Sequence, residues 1–149
     1  MLKILLVEDY EEKAKNIKIF LNTEFPFMDV EWRTSYNSAQ EEIYDNYEEY
    51  ALILLDMSMS TYDLTADASG GQPEPSAGQY ILEGMFLRNI PTPVIVVTMY
   101  NVFGRKELSA FDEELKSKYP QNYKSYVFNS SQKSDWKEHL KRQIKTILL

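Results

Sequence analysis

The sequence predicts an α/β fold: a doubly wound, five-stranded parallel sheet with helices on both faces. Three observations predict it. Short runs of Ile, Leu and Val recur at 2–7, 50–55 and 93–98, continuous rather than alternating, as in strands covered on both faces. Stretches with apolar residues three and four apart separate these runs, as helices require. Strand and helix then alternate along the chain, a pattern that parallel sheets with right-handed crossovers produce.

Leu2 to Val7 forms the first strand. Asp9 then stands in N-cap position with Glu12 three residues on, and Ala14, Ile17, Phe20 and Leu21 repeat at helical spacing. Val30 to Arg33 reads as a weak second strand, and Ala39, Ile43 and Tyr47 mark a second helix. Tyr50 to Leu55 is the third strand. The third helix carries Tyr80, Ile81, Met85 and Leu87 on its apolar side. Pro93 to Thr98, rich in β-branched residues, is the fourth strand. Leu108, Phe111, Leu115 and Tyr119 line the fourth helix, which Pro120 stops. Ser125 to Phe128 is a short fifth strand, and Trp136, Leu140, Ile144 and Ile147 line the last helix. One stretch, 58–77, has two prolines, two glycines and no period, so it reads as a long functional loop bordering whatever lies at the end of the third strand.

The 149 residues suit one domain with a single core, read here as 1–149. No cysteine is present and His139 is the sole histidine, which leaves carboxylates and hydroxyls to carry any chemistry. The apolar stretch at the start is too brief for a secretory or membrane segment, so a cytoplasmic protein is expected. Net charge is −7, and between Thr34 and Leu87 ten acids face no Lys or Arg. Nucleic acid would be repelled there. From Phe103 to Leu149 ten basic residues face six acidic ones, a surface an acidic partner can use, or an ordinary solvated helix face.

The strand ends hold the chemistry. The first strand runs into Glu8-Asp9 and the third into Asp56. Taken singly, each acid has a bland explanation: Asp9 with Glu12 makes a capping box, and a strand often ends in an acid where the chain turns to solvent. Side by side at one sheet edge, three carboxylates repel one another unless a hard cation or a shared proton intervenes. The combination points to a Mg²⁺-assisted phosphate site, at the carboxyl edge where doubly wound sheets bind ligands.

These residues resemble the receiver domains of two-component response regulators, a flavodoxin-like fold. The resemblance covers nearly the whole chain in element order and rests on Glu8-Asp9, Asp56, Thr98 at the end of the fourth strand and Tyr126 in the fifth. It implies that Glu8, Asp9 and Asp56, with the backbone carbonyl of Ser58, hold Mg²⁺ and that Asp56 accepts a phosphoryl group. It further implies that the Thr98 hydroxyl follows the phosphoryl oxygens and that Tyr126 is the switch aromatic. The implied partners are a histidine kinase or phosphotransfer protein and a downstream protein target. The target would be read through the fourth helix, fifth strand and fifth helix, where Lys137, Lys141 and Lys145 recur every fourth residue; a homodimer is also compatible with the sequence.

The chain departs from that family at one informative place. Where the register calls for a lysine that pairs with the phosphate, it has Asn129, followed by Ser130. Lys133, Lys106 and Arg105 are the cations near enough in sequence to substitute. The expected function is therefore a stand-alone, phosphorylatable receiver rather than an enzyme, with a non-phosphorylated, protein-binding pseudo-receiver as the alternative. A small Mg²⁺-dependent phosphohydrolase is a weaker alternative, because dehalogenase-type phosphatases need a second acid two residues after the first, where Ser58 stands.

Overall fold

The computed structural model describes residues 2–60, 73–74, 76–98, 102–103, 106–128 and 135–149. Its central sheet consists of β1 (Leu2–Val7), β2 (Met28–Arg33), β3 (Leu52–Leu55), β4 (Val94–Thr98) and β5 (Tyr123–Phe128). The strands pair in the order β2-β1-β3-β4-β5 and all pairs are parallel. Five helices connect and follow them: α1 (Glu11–Glu24), α2 (Tyr36–Asn46), α3 (Ala77–Leu87), α4 (Leu108–Lys118) and α5 (Asp135–Leu148). This is the doubly wound fold that the alternation of apolar runs and helical periods predicts.

Side-chain alternation along the strands sorts the core into two layers. Ile4 and Leu6 of β1, Leu52 and Leu54 of β3, and Ile95 and Val97 of β4 pack under α1 and α5, against Ile17, Leu21, Trp136 and Leu140. Leu5 and Val7, Ile53 and Leu55, and Val94 and Val96 pack under α2, α3 and α4, against Ile43, Ile81, Met85 and Leu115. Both faces are covered, which explains why the inner strands read as continuous apolar runs. β2, an edge strand, is only half-buried along most of its length, and its weak sequence signal follows from that.

Several details differ from the sequence expectation. The N-cap of α1 is not Asp9: Tyr10 holds that position and its own side chain makes no cap bond. The Tyr10 N–H donates instead to the carboxylate of Glu8 at 3.1 Å, so the acid that meets the helix start is the one before Asp9. A capping box does form in α2, where Ser35 and Ser38 exchange bonds. β2 begins at Met28 and β5 at Tyr123, both earlier than their apolar patterns suggest, whereas β3 begins only at Leu52. Tyr47 falls in a short 3₁₀ turn after α2. In α3 the buried residues are Ala77, Gly78, Ile81, Leu82 and Met85, while Tyr80 and Leu87 are exposed; at helical spacing those two share the face opposite Ile81 and Met85. The aperiodic stretch after β3 contains a two-residue antiparallel ribbon, Met59–Ser60 with Pro73–Glu74; its residues 61–72 and 75 lie outside the described residues.

Candidate metal and phosphate site

In a sheet ordered 2-1-3-4-5, the chain winds outward in opposite directions from β1 and β3, and the crevice between their carboxyl ends is the switch point. Leu55 of β3 pairs with Val7 of β1, so Glu8 and Asp56 follow their strands at the same height. The Asp56 N–H continues the ladder to the Val7 carbonyl at 3.0 Å, and the Glu8 N–H to the Arg33 carbonyl at 3.1 Å. Alternation places both side chains on the α1 side of the sheet. One carboxylate oxygen each from Glu8, Asp9 and Asp56 lie within 4.8 Å of one another. Glu8 and Asp56 are buried.

Neighbouring groups fix these acids. The Met57 N–H donates to Asp56 Oδ1 at 2.9 Å, and the Trp32 indole N–H donates to the Glu8 carbonyl at 2.8 Å. Burial raises the Glu8 carboxyl to about 8, helped by the charge of Asp56 and opposed by Lys13 and the Tyr10 N–H. Burial likewise raises Asp56, with Lys13, a hydrogen bond to Glu8 and the Met57 N–H pulling the other way and the charge of Asp9 adding to the rise. Two buried carboxyls this close do not both ionise without a counter-charge.

A counter-charge is present, and it comes from an unexpected element. Lys13, on the first turn of α1, is only 5% exposed. Its ammonium lies 2.5 Å from Glu8 Oε1 and 3.6 Å from Asp56 Oδ1, and it donates to the Val97 carbonyl at 2.8 Å. Among the described residues it is the cation that touches these carboxylates. The motif gives no hint of it, but position does: Lys13 precedes Ile17, Phe20 and Leu21 on the buried stripe of α1, and a lysine on a buried stripe needs a partner.

Thr98 is buried at the end of β4, and its strand pairing sets it opposite Phe128. Tyr126, paired with Val96, packs partly buried on the α2–α4 face; alternation puts Thr98 on that face too. Ser58 is half-buried, two residues after Asp56. Asn129, Ser130, Lys133 and Arg105 lie outside the described residues, and Lys106 lies in a short ribbon with Val102–Phe103. In the basic stripe, Lys141 pairs with Glu24 of α1 at 2.9 Å.

The donor set fits Mg²⁺. It is all oxygen, it is anionic, and octahedral coordination with bonds of about 2.1 Å needs ligand atoms roughly 3 to 4 Å apart, a small contraction of the observed cluster.

Comparison with known proteins agrees with the geometry. No family model matches the chain. A curated relative, the Detocs response regulatory protein DtcB of Enterobacter cloacae, is 31% identical over 148 residues, covering 96% of this chain and 98% of its own. The chain belongs to the response regulator receiver family. A Sinorhizobium fredii protein, y4jR, described as uncharacterised, is 30% identical over 146 residues, covering 94% of this chain and 95% of its own. Solved receivers share the fold of this one at lower identity. The phosphorylated cyanobacterial phytochrome response regulator RcpA superposes with a TM-score of 0.69 at 19% identity, covering 99% of this receiver and 94% of its own chain. The Thermotoga maritima response regulator TrrA, solved in complex with Mg²⁺ and BeF, gives 0.63 at 18% identity, covering 99% and 100% respectively. Among the described residues no helix of this receiver is long and apolar enough to cross a membrane.

Proposed function

We propose that this receiver accepts a phosphoryl group on Asp56 in a Mg²⁺-dependent reaction and passes the signal on by protein contact. The observation that carries the reading is the placement of a buried Asp56 carboxylate at the switch point, with oxygens of Glu8 and Asp9 within 4.8 Å. Glu8, Asp9, Asp56 and the Ser58 carbonyl would hold the ion. Bound there, Mg²⁺ would neutralise charge on the transferred oxygens.

The chain's own residues do the rest. The Met57 N–H orients the Asp56 carboxylate. An Asp56 oxygen attacks the phosphorus of a phosphohistidine; the new P–O bond forms as the P–N bond breaks, and the imidazole leaves with the electron pair and takes a proton. Thr98, buried at the end of β4, donates its hydroxyl to a phosphoryl oxygen, and Tyr126, on the same sheet face as Thr98, fills the space that the hydroxyl leaves. The phosphodonor is a histidine kinase or phosphotransfer protein in the cytoplasm. The readout surface is α4, β5 and α5, for a protein target or a second copy of the chain.

A second reading has its own support. The ion pairs of Lys13 with Glu8 and Asp56 neutralise part of the pocket without any metal, as a pseudo-receiver that only binds proteins would need. One experiment separates the two: incubation with acetyl phosphate and Mg²⁺, followed by intact-mass measurement of the wild type and Asp56→Asn. The phospho-acceptor reading predicts one phosphoryl adduct in the wild type and none in the variant. A wild type that stays unmodified favours the pseudo-receiver.

A further inference from the structure

The ammonium of Lys13 sits at the meeting point of three strand ends. It touches Glu8 after β1, Asp56 after β3 and the Val97 carbonyl near the end of β4, at 2.5, 3.6 and 2.8 Å. Two of those partners are carboxylates that a divalent cation would claim, and the third is a neutral carbonyl that it would not. An ammonium has three donors and a flexible stem, so it can surrender the carboxylates and keep the carbonyl. The charge balance says what it does next. Three carboxylates and one divalent ion leave one negative charge, which the ammonium cancels; a phosphoryl group on Asp56 then adds roughly one more. At the sequence position where the family carries a lysine, the chain has Asn129, an amide rather than a cation.

We infer that Lys13 is the resident counter-ion of the pocket: it yields Glu8 and Asp56 to an entering divalent cation and then holds the phosphoryl oxygens on Asp56, doing from α1 what a lysine after the fifth strand does in other receivers. The second half of this inference rests on the phospho-acceptor reading; the first half, the exchange with metal, does not. The two halves predict opposite signs for one substitution. Lys13→Met keeps the length and apolar stem and removes the charge. Losing a competitor for Glu8 and Asp56 strengthens Mg²⁺ binding, while losing the phosphate's counter-charge slows transfer.

The test measures both on the full chain. Mg²⁺ alone is titrated by tryptophan fluorescence, with Trp32 bonded to the Glu8 carbonyl as reporter, and adduct formation from acetyl phosphate is timed at saturating Mg²⁺ by intact mass. Lys13→Met should bind Mg²⁺ about tenfold more tightly and react at least tenfold more slowly. Affinity and rate falling together would make Lys13 a merely structural residue and overturn the inference, as would no change in either. If the variant does not fold, the wild type decides: the slowly exchanging ammonium protons of Lys13, observed by ¹⁵N-edited NMR, should shift on adding Mg²⁺ and again on adding BeF₃⁻. A signal indifferent to both overturns the inference. A signal that moves with Mg²⁺ in a protein that acetyl phosphate never modifies supports the exchange and sinks the phospho-acceptor reading with the second half.

Discussion

Mg²⁺ should bind this receiver far more tightly at pH 8 than at pH 6. The metal takes an ionised carboxylate, and the Glu8 carboxyl is raised from its ordinary 4.5 to about 8. The groups that face it are Asp56 from the end of β3, Asp9 beside it, Lys13 from α1 and the Tyr10 N–H. Burial and Asp56 hold the proton on; Lys13 and the N–H work against them. Below pH 8 each ion bound must therefore expel about one proton. For a single group titrating near 8, the apparent association constant rises about fifty-fold between pH 6 and pH 8. Isothermal titration in two buffers of different ionisation enthalpy counts the protons directly. Glu8→Gln should weaken binding at pH 8 and flatten the dependence several-fold, because one releasing group is gone. A wild-type affinity that stays constant from pH 6 to pH 8 would show instead that Glu8 is already ionised in the folded protein.

Three further outcomes are expected. Without metal, the folded state holds more protons than the unfolded one between the ordinary value of Glu8 and its raised value, so stability should fall as pH rises from about 4.5 to about 8; urea melts at pH 5 and pH 8 check this, and saturating Mg²⁺ should remove most of the loss. Gly78→Ala would set a Cβ at 2.7 Å from the Asp56 carbonyl and 2.9 Å from Met57 Cα, backbone atoms that cannot swing aside. It should cost roughly 1–3 kcal/mol in urea denaturation and weaken Mg²⁺ binding, and a neutral result would mean the start of α3 is loosely placed. Asn122→Ala removes buried amide bonds to the Ile90 and Thr92 carbonyls, at 2.6 and 3.0 Å; it should destabilise by roughly 1–3 kcal/mol without altering Mg²⁺ affinity.

The parts of this receiver that were legible in the sequence are those governed by local pattern. β1, β3 and β4 announce themselves because both their faces are buried, and the convergence of Glu8, Asp9 and Asp56 follows once those strands are taken as parallel neighbours. Edge positions are less legible: Met28 begins β2 two residues before the apolar pattern starts at Val30, because a half-covered strand selects its residues weakly. The capping box at Asp9 was a plausible local signal that lost to a tertiary one, since Asp9 belongs to the carboxylate cluster and Glu8 takes the Tyr10 N–H. Lys13 was hidden for a different reason. Its partners are Glu8, Asp56 and Val97, the last 84 residues away, and no spacing rule links a helix residue to the ends of two later strands.

In the phospho-acceptor reading, Asp56 itself carries the phosphoryl group. Borohydride reduction of the protein after treatment with acetyl phosphate and Mg²⁺, followed by peptide mapping, tests it most directly, because an aspartyl phosphate is reduced to homoserine while an unmodified carboxylate is not. Homoserine at position 56, formed only when Mg²⁺ is present, is the predicted result. Homoserine at another acid, or an intact Asp56 in a protein that has taken up phosphate, would contradict it.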